Sequence, residues 1–147
     1  MKIARTLKMA AAAALFALGS VASAQSASYT PGSVWTLTYV QVEPGQFENY
    51  LDFLDKEFKK GNDFGIKQGN LISYHVFSVN NPRAGEPDLI LAVEAKDYFT
   101  NAQQLEMQKK YEEFMAKDNR KLTTESGERK VMRKFVGGME LQELKLK

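Results

Sequence analysis

The chain has 147 residues, with 20 Lys and Arg against 18 Asp and Glu, one His and no Cys. That length suits a single domain; the missing cysteines exclude disulfides and thiolate ligands, and a lone histidine leaves no zinc site of the His and Cys type. Removing Lys2, Arg5 and Lys8, which lie in a segment read below as cleaved, leaves 17 bases against 18 acids and a net charge of −1, so no bulk field points to nucleic acid or an anionic membrane surface as partner.

Met1 to Ala24 has the layout of a secretory signal peptide: a basic start, an apolar run from Met9 to Leu18, and Ala22-Ser23-Ala24 before the expected cut. An apolar run of about ten residues rises only about 15 Å as helix, against roughly 30 Å of hydrocarbon. It is too short to anchor the chain, and no later stretch approaches a membrane span. The expected mature protein is therefore exported, periplasmic or secreted. Residues 25–33, small and polar with Pro31-Gly32, read as a flexible leader, and 34–147 as one α+β domain.

Val34 to Val42 is rich in β-branched and aromatic residues and predicts a strand. Alternation places Trp35, Leu37 and Tyr39 on one face and Val34, Val40 and Val42 on the other, with neither face strongly polar. After Glu43-Pro44-Gly45, the spacing of Phe47, Tyr50, Leu51, Leu54 and Phe58 predicts an amphipathic helix. A kink is expected at Gly61 and a C-terminal cap at Gly69. Phe53 and Phe64 fall off the stripe, where they would meet a second surface.

Residues 71–79 and 89–95 predict the second and third strands, joined by the turn-rich stretch 80–88 and antiparallel. Thr100 or Asn101 would cap the next helix, with Met107, Tyr111, Phe114, Met115 and Leu122 on its apolar side. A third helix is expected from Thr123 or Thr124, with Val131, Met132, Phe135 and Val136 as its apolar face and Gly137-Gly138 as its stop. Met139 to Leu146 alternates as a final strand. The order β-α-β-β-α-(α)-β is the ferredoxin-like layout: a four-stranded antiparallel sheet with helices on one face. Such a sheet leaves one face bare, and because both faces are apolar here a second copy is the simplest cover.

The segments Tyr39 to Tyr50 (YVQVEPGQFENY), Lys67 to Tyr74 (KQGNLISY) and Leu141 to Lys147 (LQELKLK) resemble the dimeric α+β barrel superfamily, over about residues 33–147. The likeness is greatest to its exported bacterial members. The resemblance implies the fold and a sheet-to-sheet homodimer. It implies no single reaction, since the superfamily includes antibiotic-biosynthesis and haem-degrading monooxygenases, cyclases and isomerases. The haem-degrading members place a histidine on the second helix, where this chain has none, so no functional residue is carried over and no cofactor or metal is expected.

His75 is the chain's one histidine, the side chain type that titrates near neutrality. It shares a strand face with Ser73 and Phe77. In an enclosed sheet face it would serve as a general base or bind a polar ligand; the plainer reading is a histidine hydrogen-bonded in the sheet or at a dimer seam. Trp35 and Tyr39 would form an aromatic wall for a flat ligand, or simply pack. Tyr98-Phe99 would close such a pocket or lie under the next helix. Glu94, in an apolar strand, is either buried with a raised pKa or solvated where the strand ends, and the second is favoured. The charged run from Glu128 to Lys130 and Arg133-Lys134 reads as a solvated helix face. The expected function is an exported homodimer that binds a small apolar or aromatic molecule between sheet and helices, with room for cofactor-independent lyase, isomerase or monooxygenase-type chemistry. The alternative is a non-catalytic envelope accessory protein docking through Phe53 and Phe64.

Overall fold

The computed structural model describes residues 27–147. The expected signal peptide, 1–24, lies outside the described residues, as do the first two positions of the leader. The described chain runs β1 (Tyr29–Val42), α1 (Phe47–Phe53), a π-helical turn (Leu54–Phe58), α2 (Lys59–Lys67), β2 (Leu71–Ser78), β3 (Leu89–Ala95), α3 (Asn101–Met115), α4 (Asn119–Glu128), a 3-10 turn (Arg129–Val131) and β4 (Arg133–Leu146). The strands form one antiparallel sheet in the order β2-β3-β1-β4. With its helices, this is the expected α+β, ferredoxin-like arrangement.

The core lies between the sheet and the long helix 47–67. Val40, Leu89 and Leu91 of the central strands pack against Tyr50 and Leu54, all five buried. Burial of such side chains is worth about 1.5–3 kcal/mol each. The three helical segments at 47–67 run on without a break, because Leu54 and Lys59 keep helical dihedrals where one segment meets the next. The irregularity is the π turn, in which the Lys59 N–H donates to the Leu54 carbonyl. It stands ahead of the kink expected at Gly61, which lies inside regular α2. Gly69 ends the helix as expected, at φ +74°, with its N–H on the Ile66 carbonyl (2.9 Å) and the Asn70 N–H on the Gly65 carbonyl (3.1 Å). This is the Schellman closure.

Three expectations are corrected. β1 begins at Tyr29, not Val34, because the leader from Tyr29 to Pro31 pairs with Leu144 to Leu146 of β4. The second helix stops at Met115, where Ala116 adopts a left-handed conformation, and Leu122 belongs to α4. The Asp118 side chain starts that helix by accepting from the Lys121 N–H at 2.7 Å. Finally, Phe135 and Val136 are not helical. β4 starts at Arg133, with Arg133 opposite Val42 and Phe135 opposite Val40.

The physical reason for the last correction is the free edge of β1, whose backbone groups outbid a short helix. Gly137-Gly138 therefore sits in a strand beside a bulge, where the register shifts between Tyr39 and Val40. A Cβ on Gly138 would come within 2.9 Å of the Leu37 carbonyl oxygen, so the close approach requires glycine.

The second surface that Phe53 and Phe64 meet includes parts of the subunit itself. Phe53 stacks on Tyr50 with centroids 5.7 Å apart and carries Arg129 over its ring, and Phe64 stacks on Phe114 of α3 at 4.3 Å. Both rings are half-buried inside the subunit.

Candidate functional site

Two places in the fold gather chemistry, and they lie on opposite sides of the sheet. The first is the face turned away from the helices. Strand register lays it out in rows: Leu141, Trp35, Glu94 and Ser73; then Met139, Leu37, Ala92 and His75; then Gly137, Tyr39, Ile90 and Phe77. All four expected site residues, Trp35, Tyr39, Ser73 and His75, are therefore on one face. Trp35 stacks on His75 at 5.9 Å and His75 on Phe77 at 5.6 Å. Ala92, between Trp35 and His75 on β3, is fully buried. Tyr39 stands apart from this stack, beside Gly137.

The rest of the face is apolar and open. Phe77 is 51% exposed, Met139 49% and Leu141 42%. Glu94 is not the solvated strand end anticipated. It lies half-buried within β3, and the Ser73 hydroxyl donates to its carboxylate at 2.6 Å. That bond, helped by Ser33 and by the nearby His75 and Lys145, holds its pKa below the usual glutamate value. The face's one carboxylate is thus already engaged by a neighbour on the same face.

The second place is a cleft of about 710 Å³ on the helix side, between the long helix, α3 and α4. Phe53, Phe58, Tyr111, Met115, Leu122 and Met132 give it apolar walls. Polar groups share the lining in equal measure: Glu57, Asn62, Lys117, Glu125, Glu128 and Arg129. Lys117 donates to Glu125 at 2.8 Å across the α3–α4 turn, which raises the lysine's pKa and lowers the glutamate's. Burial, with Glu57 adding to it, raises the Tyr111 phenol.

Arg129 lines the cleft with its guanidinium 4.4 Å from the Phe53 ring centre. Its Nε is buried without an acceptor, and among the described residues no carboxylate lies within 4.0 Å of it. Behind it, Arg133 is only 7% exposed. Arg133 donates to the Ser126 carbonyl and hydroxyl, both at 3.2 Å, and rests on Phe135 at 3.7 Å. Its charge, with a Tyr50 hydrogen bond, opposes the burial that pushes the Tyr50 phenol up. The run from Glu128 to Lys134 is therefore not one solvated face: two of its arginines turn inward.

Of the cleft's residues only Phe53 was singled out from sequence, as a docking residue and not as part of a pocket. Arg129 and Met132 carried no signal beyond a charged run and an apolar spacing, and their position depends on the α4-to-β4 turn that local pattern misreads. A smaller apolar pocket of about 340 Å³ adjoins the cleft, and Phe99 lines it, whereas Tyr98 is exposed. Among the described residues no cluster of His, Asp or Glu is placed to hold a metal, and no helix is long and apolar enough to cross a membrane. No protein-family model, curated protein or solved structure matches this chain.

Proposed function

We propose that the protein is an exported homodimer, two sheets packed open face to open face as a dimeric α+β barrel, and that each subunit binds a small apolar or aromatic molecule in its helix-side cleft. The cleft carries the binding half of this reading: about 710 Å³ falls within the roughly 300–1,000 Å³ usual for small-molecule sites, and its apolar and aromatic side chains give such a molecule surface to bury against, beside charged groups that orient it. The open face supports the other half, since apolar side chains half in water gain by being covered.

On this reading Trp35, Tyr39, Ser73 and His75 form the seam. A cofactor-independent lyase, isomerase or monooxygenase-type reaction, which the family resemblance raises, needs a base at the ligand. His75 stands across the sheet from the cleft, so binding is the function assigned and His75 is given a packing role.

The test is thermal unfolding of the mature protein against a panel of small aromatic and apolar compounds. A binder present at about 100 times its Kd stabilises by roughly 2.7 kcal/mol, enough for a clear rise in Tm. Leu122→Trp, which fills the cleft, is expected to abolish the rise, and His75→Gln to leave it intact. A flat panel, or a rise that Leu122→Trp does not touch, contradicts the reading.

A further inference from the structure

The cleft and the apolar pocket beside it share two residues, Gly61 and Tyr111. The Tyr111 ring lies so close to Gly61 that a Cβ there would meet its hydroxyl at 3.1 Å and its ring at 3.3 Å. The ring is a partition between two chambers of unlike character. On one side is the 710 Å³ cleft, with the Arg129 guanidinium in its wall. On the other is the 340 Å³ pocket, walled by Phe64, Leu71, Phe99 and Met107 and carrying no charged side chain. The partition is one side chain, so a rotation of the Tyr111 ring would join the two chambers.

The charges in the cleft are not equivalent. Glu125 is committed to Lys117. Glu57 and Glu128 also line the cleft, and with two acids left against one arginine a simple count would favour a cation. Glu57, like Arg129, makes no ion pair among the described residues, but it lies near enough to Lys117 to raise that lysine's pKa, so the lysine's charge is shared between Glu57 and Glu125. Among the described residues Arg129 makes no ion pair, and its Nε has no acceptor. Glu128 reaches water. The arginine is held on the Phe53 ring, which fixes its plane and lowers the entropy lost when an anion docks. Arg133 adds a second positive charge close behind, near enough for each guanidinium to feel the other. A carboxylate in the cleft would give the Arg129 guanidinium the ion pair that it lacks.

We infer that the ligand is a free, unbranched monocarboxylic acid of medium to long chain, its carboxylate on Arg129 and its tail passing Tyr111 into the pocket lined by Met107. The inference rests on the cleft being the binding site. The geometry sets two requirements, an acid head and a chain long enough to cross the partition. A short acid stays in the cleft, and a longer one gains the apolar pocket.

Isothermal titration of the mature protein with octanoate, dodecanoate, dodecanol and dodecylamine tests it, with each variant's fold checked by circular dichroism. Dodecanoate is expected to bind at least tenfold tighter than octanoate, dodecanol or dodecylamine. Arg129→Gln is expected to weaken dodecanoate by about 10- to 100-fold and leave dodecanol unchanged, and Arg129→Lys to recover part of the loss. Met107→Trp, which fills the far pocket without entering the cleft, is expected to erase the advantage of dodecanoate over octanoate. Equal binding of acid, alcohol and amine, or tighter binding of the amine, overturns the acid head. A dodecanoate advantage that survives Met107→Trp overturns the two-chamber path. If none of the four binds while an aromatic compound raises Tm through the cleft, the acid is overturned and the cleft stands; if nothing binds at all, the cleft falls as well.

Discussion

Among the described residues, Tyr50 and Arg133 are the polar residues buried in the helix side of the sheet. Tyr50 is 1% exposed, and a phenol so buried needs a partner for its hydroxyl. Arg133 lies beside it, and its charge opposes the rise that burial imposes on the phenol. Tyr50→Phe is expected to lower stability by about 1 kcal/mol, because it removes a polar group from beside a buried guanidinium; urea unfolding reads the loss directly. Glu94 offers a pH test. Its folded pKa lies below the usual value of 4.5, chiefly through the Ser73 hydroxyl. A carboxylate lowered on folding contributes stability that is present above its unfolded pKa and is lost as pH falls through the folded value. Ser73→Ala removes the main cause, so the Glu94 titration is expected to move up toward 4.5 and the part of the acid loss of stability that Glu94 contributes to shrink, with stability lowered at neutral pH. Carboxyl NMR titration measures the first and acid unfolding the second; an unmoved Glu94 titration contradicts the assignment. Residue pairs like these were only half legible beforehand. Strand parity put Trp35 and His75 each on a definite face. Their stacking depends on the register across β3, which one-dimensional pattern does not contain.

The elements whose evidence was local were the ones read correctly. β3 falls at 89–95 as expected, because a short apolar run bounded by turn residues needs no distant partner to define it. α3 starts after Thr100, where Thr100 and Gln103 cap each other reciprocally. Thr100→Ala is expected to cost about 1 kcal/mol, the usual worth of an N-cap, seen as a lower urea midpoint with an unchanged slope. β4 was misread because its evidence is remote. Val131, Met132, Phe135 and Val136 fit a helical spacing, and Gly137-Gly138 looks like a helix stop until β1 stands beside it. The decisive contact is the backbone approach of Gly138 to Leu37. Gly138→Ala is expected to destabilise by about 1–3 kcal/mol through overpacking against backbone, and differential unfolding measures it. A neutral result contradicts the bulge geometry. The same misreading concealed the cleft, since Arg129 and Met132 reach it only from the turn that leads into β4.

At the scale of the molecule, the sheet buries one side under helices and leaves the other half in water. Leu37, Tyr39, Phe77, Met139 and Leu141 crowd that second side, and its one carboxylate is held by Ser73. The chain's only tryptophan, Trp35, lies among them, so its emission reports whether the face is covered. A charge in the middle of the face, Leu37→Lys, is expected to prevent association while leaving the helix-side core and the ligand cleft in place, because the two lie on opposite sides of the sheet. The account depends most on that face being joined to its copy. Sedimentation equilibrium of the mature protein at micromolar concentration, with Trp35 emission followed on dilution, tests it most directly. The account predicts twice the subunit mass, and a red shift of emission as the pair separates. A folded monomer at micromolar concentration, with Trp35 emission unchanged on dilution, would contradict it.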